Sequence, residues 1–221
     1  MKTFKHDFVT LPKMEKVEFA GKRYYVTPSG NSYQSVTTLT GNWNKKAITE
    51  WRNRVGEEKA NKISSSAAKR GTSLHKTVEH YLLNKPIHLE ENVLNKSMFY
   101  KIQPLVDRLD NIKVVEGTLY CDELKLAGTT DCIAEYSGDL SVIDFKTSSR
   151  MKNKSQIKNY FMQGAAYGKM YEELFGVTPK KVVIMMAVES APFPQCMIEP
   201  FDICLDMLRE FMGEGLNNIF D

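Results

Sequence analysis

The sequence predicts one α/β domain, strands and helices interleaved, with a helical and hairpin elaboration at the N-terminal end. Three observations carry this. The chain has 221 residues, 42% of them hydrophobic, enough for one ordinary core. Segments of helical spacing alternate with segments rich in β-branched and aromatic residues. And "KKVVIMMAVE" (180–189) is an apolar run bounded by turn signals, the mark of a strand covered on both faces.

Taken in order, "VEFAGKRYYVT" (17–27) is β-rich, "PSGN" (28–31) supplies a turn, and "SYQSVTTLT" (32–40) alternates again, so the opening reads as a hairpin. "KKAITEWRNRVGEEKANKI" (45–63) sets Ile48, Trp51, Val55 and Ile63 at near-helical spacing. A second helix follows "SSSAAKRGTS", with Leu74, Val78, Tyr81 and Leu82 as its apolar stripe, and stops before Asn84-Lys85-Pro86. A third, over 91–109, leads into the strand "KVVEGTLYC" (113–121). Two more strands follow within 128–147, then a helix over 155–176 closed by Gly176, the strand 180–189, and a helical tail over 202–220. There are no repeats or obvious linkers, so residues 1–66 read as the elaboration and 67–221 as the core of a single domain.

The formal net charge of +3 is too small to announce nucleic acid by itself. Residues 141–160 are more basic, with Lys146, Arg150, Lys152, Lys154 and Lys158 against Asp144; alone, such a run reads as a solvated helix start. "MKTFKHDFVTLPKMEK" lacks the apolar stretch of a signal peptide, and no segment is long enough to span a membrane, so a cytoplasmic protein with no membrane partner is expected. The cysteines, Cys121, Cys132, Cys196 and Cys204, form no CxxC or Cys/His cluster. They read as reduced thiols, against a zinc or iron–sulfur site.

The chemistry concentrates in "GTTDCIAEYSGDLSVIDFKT" (128–147). With Gly138-Asp139 in the middle of a hairpin turn, Asp131 faces Lys146 and Ile133 faces Asp144. Asp131, Asp144 and Lys146 then project from one face, the two acids as diagonal neighbours about 7–8 Å apart. Two such acids repel unless something positive lies between them. Lys146 supplies part of that charge, and oxygen ligation suits Mg2+ or Mn2+. A plain salt bridge on a wet sheet face is the alternative, but Val142, Ile143 and Phe145 make this a buried strand, where an acid and a base are more often functional. Glu116 is a third acid on a preceding strand; it either binds metal, directly or through water, or is an exposed strand residue.

These residues resemble the PD-(D/E)xK nuclease superfamily, specifically its RecB-like exonuclease branch: "GTTD", then "VIDFKT" after a hairpin. "AAKRGTSLHKTVEHYL" resembles that branch's R-G-T-x-x-H helix, and "QGAAY" its Q-x-x-x-Y motif, all in the family's order over residues 68–167. The N-terminal "YYVTPSGNSYQSVTTLT" and "WRNRVGEEKANKI" are similar to segments of phage-encoded and mitochondrial genome-maintenance exonucleases. Thr130 stands where the superfamily's name has proline, a proline that RecB-like members commonly lack.

The resemblance implies a restriction-endonuclease-like mixed β-sheet flanked by helices. It makes Asp131 and Asp144 metal-binding carboxylates, Lys146 the catalytic lysine, and the Phe145 carbonyl and His75 further ligands for one or two Mg2+ or Mn2+ ions. Glu79, one turn on, is a candidate to orient His75. Gln163 and Tyr167 would contact DNA or order the active site. Cys196 and Cys204 do not provide the frame of the iron–sulfur-bearing relatives. Beyond those motifs, Ser148, Ser149 and Arg150 follow the lysine in a loop suited to a phosphate, and Arg70 is similar. Trp43, Trp51, Tyr24 and Tyr25 lie among bases, where stacking on unpaired bases or simple core packing would both fit.

The implied activity is metal-dependent hydrolysis of DNA from its ends, single-stranded or processed, in phage or bacterial replication and recombination. A structure-specific or restriction-type endonuclease and a silent DNA-binding module are the alternatives. A helicase or recombination partner is expected to be a separate protein, since the chain has no P-loop.

Overall fold

The computed structural model describes residues 2–87 and 92–217. Residue 91 and residues 218–220 of the expected helices lie outside the described residues. The strands are β1 (Glu15–Phe19), β2 (Lys22–Val26), β3 (Ser32–Ser35), β4 (Leu109–Cys121), β5 (Leu126–Tyr136), β6 (Asp139–Ser148), β7 (Lys181–Val188) and β8 (Gln195–Pro200). The helices are α1 (Val36–Gly41), α2 (Lys45–Val55), α3 (Glu57–Leu82), α4 (Val93–Val106), α5 (Lys158–Phe175) and α6 (Phe201–Asn217), with 3₁₀ turns at Asn42–Asn44 and Lys154–Ile157. Together the strands form one open mixed sheet of eight, flanked by helices, a restriction-endonuclease-like architecture.

The sheet runs β1-β2-β3-β5-β6-β7-β8, with β4 laid along the other edge of β5. Pairing is parallel for β3/β5 and β6/β7 and antiparallel elsewhere. Alternation along the central strands feeds two cores. Val142, Ile133, Val182 and Ile184 pack with α5 and α6, while Ile143, Phe145, Val183 and Met185 pack with α3 and α4.

Four expectations need correction. The segment 17–27 is two strands, because Ala20 and Gly21 both take positive φ (49° and 70°) and turn the chain back as a tight hairpin. The strand expected over 32–40 ends at Ser35; Val36 is fully buried against α5 in a short helix, tertiary packing overriding a β-rich composition. The helix break falls at Gly56 (φ 86°), and α3 runs unbroken through the three serines. Lastly, β8 was not foreseen: "QCMIEP" is short, flanked by proline and at the sheet edge.

Candidate active site

The site exists because β5 changes partner. On one edge β5 pairs with β4; on the other it pairs with β6 through Cys132–Tyr136 and with β3 through Leu126 and Ala127. Among the described residues, 128–131 have no ladder partner on that second edge. There β5 and β6 part, and the carboxylate of Asp131 accepts the Phe145 N–H through Oδ2 at 2.8 Å.

Ser137 and Gly138, not Gly138 and Asp139, form the hairpin loop, with φ of 55° and 82° and Tyr136 paired to Asp139. This corrects the expected register by two residues. Asp131 therefore comes beside Asp144 rather than Lys146. A two-residue shift keeps the side-chain parity, so Asp131, Asp144 and Lys146 still share the face that meets α5.

Two further elements complete the cluster. His75, half-buried on α3, has Nδ1 3.6 Å from Glu116 Oε1 and 3.5 Å from Asp131 Oδ1. Glu116 lies on β4 with φ of 46°, a conformation that costs a non-glycine residue about 1–3 kcal/mol. The ladder on either side, Val115 to Cys132 and Gly117 to Thr130, holds it there. Ligand atoms of His75, Glu116 and Asp131 lie within 4.8 Å of one another. Glu116 thus lies on the exposed side of this group, beside His75 and Asp131. Glu79 instead lines the hollow beside His75, whose partners are Glu116 and Asp131.

Asp144 is 3% exposed. Its Oδ1 accepts from Lys146 Nζ at 2.5 Å, while its Oδ2 is buried without a hydrogen-bond partner among the described residues. Burial pushes its carboxyl up to about 6, with Asp131 adding and Lys146 and His75 opposing. For Lys146, burial works to lower the pKa, but Asp144 and Asp131 carry it above the ordinary lysine value. For His75, burial again opposes, and the Glu116 hydrogen bond with the Asp131 and Asp144 charges lifts the imidazole to about 9.

The residues present fit a divalent cation. A ligating histidine must be neutral. Glu116, Asp131 and Asp144 then outnumber Lys146 by two charges, and the orphaned Asp144 oxygen needs a partner. Carboxylate-rich donors suit Mg2+ or Mn2+.

Phe145 reaches the cluster through its N–H, its ring buried in the opposite core. Gln163 and Tyr167 are buried on α5 at 9% and 2% exposure, the glutamine bonding the phenol. Tyr167 lies under the carboxylates, its pKa pushed far up by burial and by Asp131 and Asp144. Both thus pack within the domain, Gln163 against Tyr167 and Tyr167 towards the carboxylates. Ser148 is buried too, its hydroxyl donating to the Arg150 carbonyl at 2.6 Å, while the Arg150 side chain is exposed. Arg70 has Nη1 3.7 Å from Glu189, and its Nε is buried without a partner among the described residues. Of the aromatic candidates, Tyr25 is buried and Trp43 packs edge-on against Phe211.

Sequence reasoning missed Tyr160, whose ring lies 5.0 Å from Lys146 Nζ. It also missed Gly164 and Gly168. An added Cβ at Gly164 would fall 2.3 Å from Val182 Cγ1, and at Gly168 2.3 Å from Phe201 Cε2. The signal was present as small residues one helical turn apart inside "QGAAYG".

No protein-family model matches the chain. Among curated proteins it is similar to mitochondrial genome maintenance exonuclease 1 of Homo sapiens, 28% identical over 116 residues, which is 52% of this chain and 33% of that protein. The Mus musculus protein of the same name is 29% identical over 130 residues, 57% of this chain and 36% of its own length. The Xenopus tropicalis protein is 29% identical over 129 residues, 57% and 35%. The match thus spans about a third of the length of these relatives. Among solved structures, SSO0001 aligns over 80% of this chain and 74% of its own at 15% identity, with a TM-score of 0.39 that bears on neither fold nor function.

Proposed function

We propose that the chain is a metal-dependent DNA exonuclease that hydrolyses phosphodiester bonds from DNA ends, acting on single strands. The observation that carries this reading is the convergence of Asp131, Asp144 and Lys146 where β5 and β6 part, beside His75 and Glu116. The exonuclease names of the curated relatives support the same reaction class.

Asp131, Asp144, His75 and Glu116, with the Phe145 carbonyl, would hold Mg2+ or Mn2+. Such an ion, when bound, would polarise the scissile phosphate and lower the pKa of its water toward neutrality. Lys146, kept charged by Asp144 and Asp131, places a cation where negative charge builds on the phosphoryl oxygens. Glu116 orients the His75 ring, and Asp131 fixes the β6 backbone through the Phe145 N–H. Gln163 and Tyr167 support Asp131 from below.

The test sets linear and covalently circular single-stranded DNA side by side with Mg2+ or Mn2+, and Lys146→Ala as the control for contaminating nuclease. Loss of the linear strand alone is expected. Cutting of the circle would replace the exonuclease with an endonuclease, and no cutting of either would leave a silent binding module.

A further inference from the structure

A groove of about 600 Å³ lies between the N-terminal half of α3 and the loop after β6. Lys59, Lys62 and Arg70 line it from α3, Lys152 from the loop, and Tyr160 from α5. Positions 59, 62, 66 and 70 recur at three- and four-residue steps, so they form one face of the helix. Glu189 is the one acid on the lining, and it lies 3.7 Å from Arg70. Tyr160 belongs to this wall and also packs its ring against the Lys146 ammonium, so the inner end of the groove is separated from the lysine by that ring alone.

Beside His75, a second hollow of about 550 Å³ has a different character. Lys76 and His80 line it together with Glu79 and Glu116. Its charges roughly cancel, whereas the first groove is strongly basic.

We infer that the basic groove holds the single strand on its way to the cluster, its phosphates on Lys59, Lys62, Arg70 and Lys152 and an unpaired base against Tyr160. This rests on the nuclease reading and adds which face of α3 the substrate follows. Phosphate contacts by lysine and arginine release counterions, whatever the base sequence. A duplex keeps its base faces in its own stack, so an aromatic ring at the inner end favours a strand with free bases.

The experiment measures binding of a fluorescent 20-nucleotide oligodeoxythymidylate, with Ca2+ in place of Mg2+ to suppress cutting, across a salt series. Compared are the wild type, the triple variant Lys59→Gln/Lys62→Gln/Lys152→Gln, and Lys76→Gln from the second hollow. Each lost phosphate contact flattens the plot of log affinity against log salt by about 0.7 on single strands, so the triple variant is expected to flatten it by about 2. Lys76→Gln should leave the slope unchanged. Unfolding midpoints equal to wild type confirm that both variants are folded. A triple variant with the wild-type slope, or a slope that falls with Lys76→Gln instead, overturns the groove while leaving the nuclease reading intact. A wild type that neither binds nor cuts DNA overturns both.

Discussion

The two halves of the β5–β6 hairpin are built from the same strands and do opposite things. In the closed half, Cys132–Tyr136 pair with Asp139–Ile143, and Cys132, Ile133, Ala134, Val142 and Ile143 are all buried. These five side chains all serve packing. In the open half, β6 keeps β7 as its neighbour but loses β5, and a freed backbone donor is taken by the Asp131 carboxylate. Buried charge is tolerated only with partners, and the parting of two strands supplies one. The closed half sets the position of the acids, and the open half gives them room and a donor.

The largest effect expected from this contrast is on chemistry. Lys146→Ala should lower the cleavage rate in single-turnover assays about a thousandfold, the scale for losing one pre-placed charge at a developing oxyanion. DNA affinity should change little, because Lys146 lies behind Tyr160 and off the groove wall. A variant that still cut at the wild-type rate would remove Lys146 from the mechanism.

Next in size is the response of stability to metal. An ion bound only by the folded state at a hundred times its Kd adds about 2.7 kcal/mol. For a domain of this size that is about 5–10 °C in Tm. Calorimetry with Mn2+ against a chelator should show that rise in the wild type and lose it in Asp131→Asn. Equal shifts in both proteins would place the ion elsewhere.

Much of the site was legible because β-strand parity is robust. The turn was misassigned by one position, yet Asp131, Asp144 and Lys146 stayed on one face, since the ladder moved by two residues. What stayed hidden depends on backbone conformation or on distant packing. Nothing local marks Glu116 for a positive φ, and only the packing of α3 against β4 sets it against His75. Tyr160 became visible once α5 was laid across β6. The unbroken α3 was obscured because three serines resemble a loop, whereas Gly56, with its φ of 86°, is where the chain turns. Val36 and Thr40 sit in a helix despite β-branched neighbours because both are buried beneath it.

The smallest expected effect separates the two halves most cleanly. Ile143→Val removes one methyl group from the closed half and should cost about 0.5–1.5 kcal/mol of stability. Cleavage should not change, since Ile143 faces the α3/α4 core, on the opposite face of β6 from Asp144. Gly128→Ala in the open half is its counterpart. The new Cβ would sit 2.9 Å from Tyr167 Cε1 and 3.0 Å from its hydroxyl, so the ring must move or the strand must shift. Overpacking of that kind costs about 1–3 kcal/mol, close to the first variant. Tyr167, however, lies under Asp131 and Asp144, and displacing it tilts the carboxylates. Gly128→Ala should therefore lose cleavage well below its own unfolding temperature, while Ile143→Val keeps it. If the two variants lost activity in proportion to stability alone, the open half would be no more sensitive than the closed one, and Tyr167 would be ordinary core.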